Sequence, residues 1–244
     1  VKIGIIGAGN IGACLARKLA ASGHDVRLAN SKGPQTIRDL AAEVGATPVT
    51  KEKAVADAEV VILAIPFASH RDLANLFESV AQEAVVIDTS NYYPTRDGAI
   101  AEVDGGKPES TWSQEQIGRP VVKAWNAVLA ATLEAGGRPA GTPGRLAIPV
   151  AGDDATATAT ARQLVDQTGF DALDAGGLQD SWRQQPGTPA YCTELTIGEL
   201  KLAVEAAKRE RAPRNRDALM KEFASAGGAL THAQIVARNR SATA

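Results

Sequence analysis

The run Gly7-Ala8-Gly9-Asn10-Ile11-Gly12 begins directly after a short β-rich segment, Lys2–Ile6, and opens an amphipathic helix. On its own a G-x-G-x-x-G pattern says little. Between a strand and a helix it reads as the phosphate turn of a dinucleotide-binding βαβ unit. Gly7 permits the tight turn, Gly9 lets backbone amides approach a pyrophosphate, and Gly12 lets the helix pack closely on the strand. With Asn10 and Ile11 the glycines form a backbone cradle, to which the helix N-terminus adds unpaired N–H donors and about half a positive charge. Ile11, Leu15 and Leu19 recur at i, i+4, i+8, which places one apolar stripe against a sheet, and Gly23 is expected to end the helix.

Further apolar runs alternate with helical spacing, the βαβα rhythm of a parallel sheet covered on both faces. Strands are expected at Lys2–Ile6, Asp25–Ala29, Val60–Ile65, Val85–Asp88 and Val121–Ala124, with a weaker one around Pro48-Val49. Leu73, Leu76, Phe77 and Val80 predict a helix capped by Ser69 with Asp72. After a Gly/Pro-rich stretch, Gly136 to Gly144, a strand-like run Leu146–Ala151 leads into Asp153-Asp154 and a helix running towards Phe170. The tail from Thr193 is helical in pattern, interrupted by Pro213 and Gly227-Gly228. The expected fold is therefore α/β: a doubly wound Rossmann unit, mostly parallel, over 1–145. A smaller carboxyl-terminal α/β and helical unit follows over 146–244, where the acceptor cleft and a homodimer contact are expected.

Charge and cysteine content exclude several functions. A net charge of −2 and a pI near 6.0 give no general attraction to nucleic acid or anionic lipid. Cys14 and Cys192 are far apart, with no C-x-x-C pair and no His cluster at metal-ligand spacing, so no metal is expected. The longest apolar run, Val60 to Ala68, falls short of the ~20 residues that span a bilayer. With no secretory pattern at its start, the expected location is cytoplasmic.

The residues at the end of the second strand bear on which dinucleotide binds. An Asp or Glu there would hold both ribose hydroxyls of NAD and repel the 2′-phosphate of NADP. This chain has Asn30-Ser31-Lys32, an amide, a hydroxyl and a mobile ammonium, which suits NADP(H), with Arg38 as a second cation. Ile65-Pro66-Phe67 leaves the carboxyl end of a strand, where it can pack on ribose or nicotinamide or simply end the strand. Asn91 and Asn126 hold similar positions and read equally as carboxamide partners or loop caps. Every Trp and Tyr lies after residue 90. If the acceptor needs a proton, the candidate donors are His70, Tyr92, Tyr93 and Lys123, and Asn126 is a further candidate at the catalytic site. His70 otherwise reads as a solvated first-turn histidine. The basic run Lys208 to Arg216 reads as a solvated helix end or as a holder for an anionic acceptor tail.

The combination of Gly7–Gly12 with Gly23-His24-Asp25-Val26, Ala29-Asn30-Ser31-Lys32-Gly33-Pro34, Val122-Lys123-Ala124-Trp125-Asn126 and Pro149-Val150-Ala151-Gly152-Asp153-Asp154 resembles the NADP(H)-dependent reductases of the deazaflavin coenzyme F420. That family is in turn similar to the cytoplasmic reductase domain of six-transmembrane metalloreductases. The resemblance spans roughly the first 175 residues. It implies hydride transfer between nicotinamide and the deazaflavin in a cleft between the two units, Ser31 and Lys32 on the 2′-phosphate, and Ala124 beside the nicotinamide. Asn91-Tyr92-Tyr93-Pro94 and Trp125-Asn126 are bulkier or more polar than expected of F420-linked enzymes. Reduction of an imine, ketone or flavin without F420, and NADP(H) sensing without catalysis, therefore stand beside it.

Overall fold

Strands β1 (Lys2–Ile6) and β2 (Asp25–Ala29) run parallel, Ile3 opposite Val26 and Ile5 opposite Leu28, in a computed structural model that describes residues 1–244. With β3 (Thr47–Pro48), β4 (Val60–Leu63), β5 (Val85–Asp88) and β6 (Val122–Lys123) they form one parallel sheet of order β3-β2-β1-β4-β5-β6. This is the doubly wound order, whose direction of winding reverses between β1 and β4 and opens a crevice at their carboxyl ends.

The helix Asn10–Ala21 crosses from β1 to β2 and buries Leu15 and Leu19 completely, in one core with Ile3, Ile5 and Leu28. Burial of each such leucine stabilises by about 1.5–3 kcal/mol. Gly23, at φ +89°, follows the helix end as expected. On the opposite face Ile6, Val61, Leu63 and Val86 meet Leu73, Phe77 and Val80. The spacing of those last residues predicts one capped helix, but the chain makes a 3-10 turn, Phe67–Asp72, then a single helical turn, Ala74–Phe77, with no side-chain cap. The His70 Nδ1 bond to the Phe67 carbonyl, 2.8 Å, tightens that turn and leaves Ser69 inside it, away from a cap position.

A second, two-stranded parallel sheet pairs β7 (Ala147–Val150) with β8 (Asp171–Asp174). The helix Ala155–Gln167 joins them, and Asp154 caps it by accepting from the Ala157 amide at 2.7 Å. Just past β7, Ala151 and Lys123 exchange two main-chain hydrogen bonds, 2.8 and 3.0 Å, which tie the small sheet to the edge of the large one. Ile148, Val150, Leu164 and Phe170 belong to the same core as Leu15. Helices Ile197–Ala206, Ala212–Ser225 and His232–Thr243 complete the tail. Pro213 sits in the first turn of its helix, where it lacks only an N–H that would be unpaired anyway, so it starts a helix and does not interrupt one. The last helix continues through Ser241 to Thr243. No helix is long and apolar enough to cross a membrane.

Candidate functional site

The three motif glycines differ in what surrounds them. Gly7 has φ +112°, and a Cβ there would lie 2.0 Å from the Ala64 carbonyl oxygen. A Cβ on Gly12 would lie 1.8 Å from the Gly7 carbonyl oxygen. Both glycines are required by the protein's own packing. Around Gly9 an added Cβ would meet no protein atom within 4 Å, so the open space there faces outward, where a ligand backbone would pass. The helix that starts beside it has no side-chain cap and no acidic residue in its first turn, which leaves its N–H donors for an anion. The cradle therefore fits a dinucleotide pyrophosphate.

From the cradle a cavity of about 490 Å³ extends over the ends of β1 and β2, lined by Asn30, Ser31, Ile37, Lys51, Ile65 and Pro66 among others. Asn30 donates to Thr36 Oγ1 at 2.8 Å and accepts from the Lys32 amide at 3.2 Å, so its side chain shapes the turn after β2. Asp72 is the one carboxylate in the lining and comes from the turn after β4. Lys32 and Arg38 are exposed and lie outside the wall. Lys51, the first residue of the helix Lys51–Val55, is a cation in the wall that no sequence motif marks.

A second cavity of about 400 Å³ lies on the other side of the cradle, against Asn10, Ile11, Ile65, Pro66, Asn91, Tyr93, Arg96, Trp125, Asn126 and Tyr191. Asn91 donates to the Asn126 carbonyl at 2.9 Å, and Asn126 Nδ2 donates to Asn91 Oδ1 at 3.0 Å. Gln184 joins them, donating from Nε2 to Asn126 Oδ1 at 2.9 Å and accepting at its main-chain carbonyl from Asn126 Nδ2 at 2.8 Å. Trp125 holds φ +56°, a costly conformation for an aromatic residue, and its indole is tied to Thr168 Oγ1 at 3.2 Å. Ala124 is completely buried in the core and does not line the cavity; its successors Trp125 and Asn126 do.

Tyr93 and Tyr191 bring their hydroxyls to 2.5 Å of each other at this wall. Burial raises both phenols above the ordinary range, and it pushes the neighbouring Cys192 thiol up to about 12. Arg96 stacks on the Tyr93 ring at 5.2 Å. Tyr92 turns the other way, as successive residues of an extended segment must. Its ring packs on Phe67 and Trp112, and its hydroxyl is bound to Gly98 and Asp104.

His70 and Lys123 are fully buried and line neither cavity. The expectation of a solvated His70 is corrected by its seat under the core, where the aromatic cluster around Phe67 encloses it. Lys123 gives its ammonium to the Ser90 carbonyl at 3.1 Å and Ser110 Oγ at 3.0 Å, with Glu109 at 3.4 Å. Asp88 accepts from the amide and hydroxyl of Ser90 and from Ser110, and lies 3.4 Å from His70 Nε2 without hydrogen-bond geometry. Burial pushes the Asp88 carboxyl up, but the nearby His70 and Lys123 and these hydrogen bonds outweigh it and hold the group well below the usual range. Burial wins at Glu109, only partly offset by Lys123, and its carboxyl rises to about 7. This buried ionic cluster supports the Thr89–Asn91 loop from behind.

The model of the family described as NADP oxidoreductase, coenzyme F420-dependent, matches residues 2–92, the stretch that holds the cradle, Asn30 and the cavity residues up to Asn91. Protein YjhV of Escherichia coli is 39% identical over 103 residues, 42% of this chain and 75% of its own length. The chain belongs to the NADP oxidoreductase, coenzyme F420-dependent, family. Protein SMa0349 of Sinorhizobium meliloti, a solved structure, superposes with a TM-score of 0.69 at 30% identity, covering 80% of this chain and 95% of that one. The rat metalloreductase STEAP3 is 28% identical over 184 residues, 72% of this chain but only 34% of its own length. The family is one of NADP oxidoreductases, and the sheet that carries the cradle is a Rossmann sheet.

Proposed function

We propose that the protein is an NADPH-dependent reductase that passes a hydride to an organic acceptor in the cavity between Ile65-Pro66 and Tyr93-Tyr191. The unfilled space at Gly9 carries this reading, because no contact within the protein demands a glycine there. Bound NADPH supplies the hydride from its nicotinamide ring. The residues Gly7 to Gly12 hold the pyrophosphate, while Asn30 leaves the end of β2 free of a carboxylate and Ser31, Lys51 and the mobile Lys32 receive the 2′-phosphate. Ile65 and Pro66 form the shelf between the two cavities, and Trp125, Tyr93 and Tyr191 wall the acceptor side.

Coenzyme F420, named in the family's description, is the first acceptor to test, followed by flavins, imines and ketones. Calorimetry should give NADPH a Kd well below that of NADH. Steady-state oxidation of NADPH should then proceed with at least one acceptor of that panel. Tight NADPH binding without turnover on any of them would replace this reading with an NADP(H) sensor.

A further inference from the structure

Two loops far apart in sequence place phenols together at the acceptor wall: Tyr93 follows β5, Tyr191 precedes the tail helices, and their oxygens are 2.5 Å apart. Apart from each other and the adjacent Cys192 thiol, neither hydroxyl meets a polar group of the protein. Two phenols carry two protons, and the bond between them uses one. The other proton meets no oxygen or nitrogen of the protein, only the weakly accepting Cys192 sulfur beside Tyr191, and can turn to a bound molecule. The lining of this cavity contains no carboxylate, histidine or lysine, and its one thiol, Cys192, is buried behind Tyr191, so the phenols are the acids that face the space. Burial keeps them protonated at neutral pH, and the Arg96 guanidinium over the Tyr93 ring favours negative charge developing there.

We propose that the Tyr93–Tyr191 pair is the proton donor of this cavity, and that the acceptor class is a small molecule with a neutral carbonyl or imine, whose heteroatom must gain a proton as its carbon gains hydride. This rests on the NADPH-dependent reading above. The acceptor carbon forms a C–H bond with hydride from the dihydronicotinamide while the π pair of C=O or C=N moves to the heteroatom. One phenol O–H breaks as the new O–H or N–H forms. The second phenol donates its hydrogen bond to the phenolate left behind, and water restores the missing proton. The balance is C=X plus NADPH plus H⁺ giving CH–XH plus NADP⁺. A permanently charged N-alkyl iminium needs no such proton, which separates chemistry from packing.

The test uses Tyr93→Phe and Tyr191→Phe, with thermal unfolding to check that each variant is folded. First, calorimetry of a non-reducible lactam against the NADP⁺ complex should show at least a tenfold weaker Kd in each variant, about 1.4 kcal/mol. Second, NADPH oxidation at alkaline pH should be compared between dihydroisoquinoline and its N-methyl iminium. Loss of a general acid should lower the imine-to-iminium rate ratio by about a hundredfold. Equal losses on both substrates, or no loss on either, would overturn the assignment. So would a wild-type protein that oxidises NADPH with F420 yet reduces no neutral carbonyl or imine, an outcome that spares the NADPH reading. A wild-type protein that does not bind NADPH at all would sink both.

Discussion

Asn91 and Asn126 hold each other across the wall of the second cavity, each donating its side-chain amide to an oxygen of the other, at 2.9 and 3.0 Å. The loops after β5 and β6 are thereby fixed in width. With Gln184 added, both Asn126 amide hydrogens and its oxygen are engaged, so Asn126 positions the wall and has no donor to spare for a nicotinamide carboxamide. Asn126→Ala leaves Gln184 and Asn91 groups unpaired in a buried place and should lower stability by about 2–3 kcal/mol. Asn91, half-buried, should cost less. Urea unfolding of the two variants checks the order.

The glycine motif predicts a division of labour between two variants that look alike on paper. Gly12→Ala forces a Cβ to within 1.8 Å of the Gly7 carbonyl and should destabilise the fold by about 1–3 kcal/mol. Gly9→Ala meets no protein atom and should leave the melting temperature close to wild type. Its methyl intrudes where a pyrophosphate would lie, so NADPH affinity should fall about tenfold or more, near 1.4 kcal/mol. Calorimetry beside thermal unfolding separates the two effects.

Cofactor selectivity should reside at the end of β2 and in Lys51. Ser31→Ala with Lys32→Ala should weaken NADPH by about 10- to 100-fold, since hydrogen bonds to charged groups contribute about 1.5–3 kcal/mol, while NADH changes little. Lys51→Ala should act in the same direction, because its side chain stands in the cavity wall. Equal losses for the two dinucleotides would place the 2′-phosphate elsewhere.

The buried cluster behind the cavity predicts how stability depends on pH. Glu109 has its carboxyl raised from 4.5 to about 7, so between those values the folded protein keeps a proton that the unfolded chain has lost. Its contribution is full below the ordinary value and disappears as pH rises towards 7, with a slope of at most about 1.4 kcal/mol per pH unit. Asp88 works in the opposite sense: held low, it stabilises above its ordinary value of 3.8 and that support is lost in acid. Glu109→Gln should flatten the decline between pH 5 and 7 while leaving the acid limb. Urea titrations across that range measure both limbs.

What the sequence made legible was local. The strand, turn and helix around Gly7–Gly12 could be read because period, glycine chemistry and helix stripe coincide within about twenty residues, and Asp154 announced its helix for the same reason. The tight turn at Phe67–Asp72 was not legible, because His70 bonding to its own turn competes with the apolar spacing that predicts a regular helix. Strand β8 offers one strong apolar residue, Leu173, between aspartates, too little alternation to mark it. Lys123 looked available because nothing near it in the sequence marks a partner for its ammonium. Its partners Glu109 and Ser110 begin a helix, Glu109–Ile117, that carries no motif. The parity that sends Tyr92 inward and Tyr93 to the cavity depends on where β5 ends. The meeting of Tyr93 with Tyr191, 98 residues apart, needs the whole fold.

The paired hydrogen bonds between Lys123 and Ala151 leave no hinge at the seam where the small sheet joins the large one. Rotation of one half against the other would have to break that stitch and part a shared core. Segment 184–192 is held as firmly: Gln184, Gly187, Thr188 and Cys192 are buried, Gln184 holds Asn126, and the Cys192 amide donates to the Ala127 carbonyl at 3.0 Å. A small molecule entering the space beside Tyr93 and Tyr191 would therefore meet walls already set, with no swing of a domain needed to bring them together.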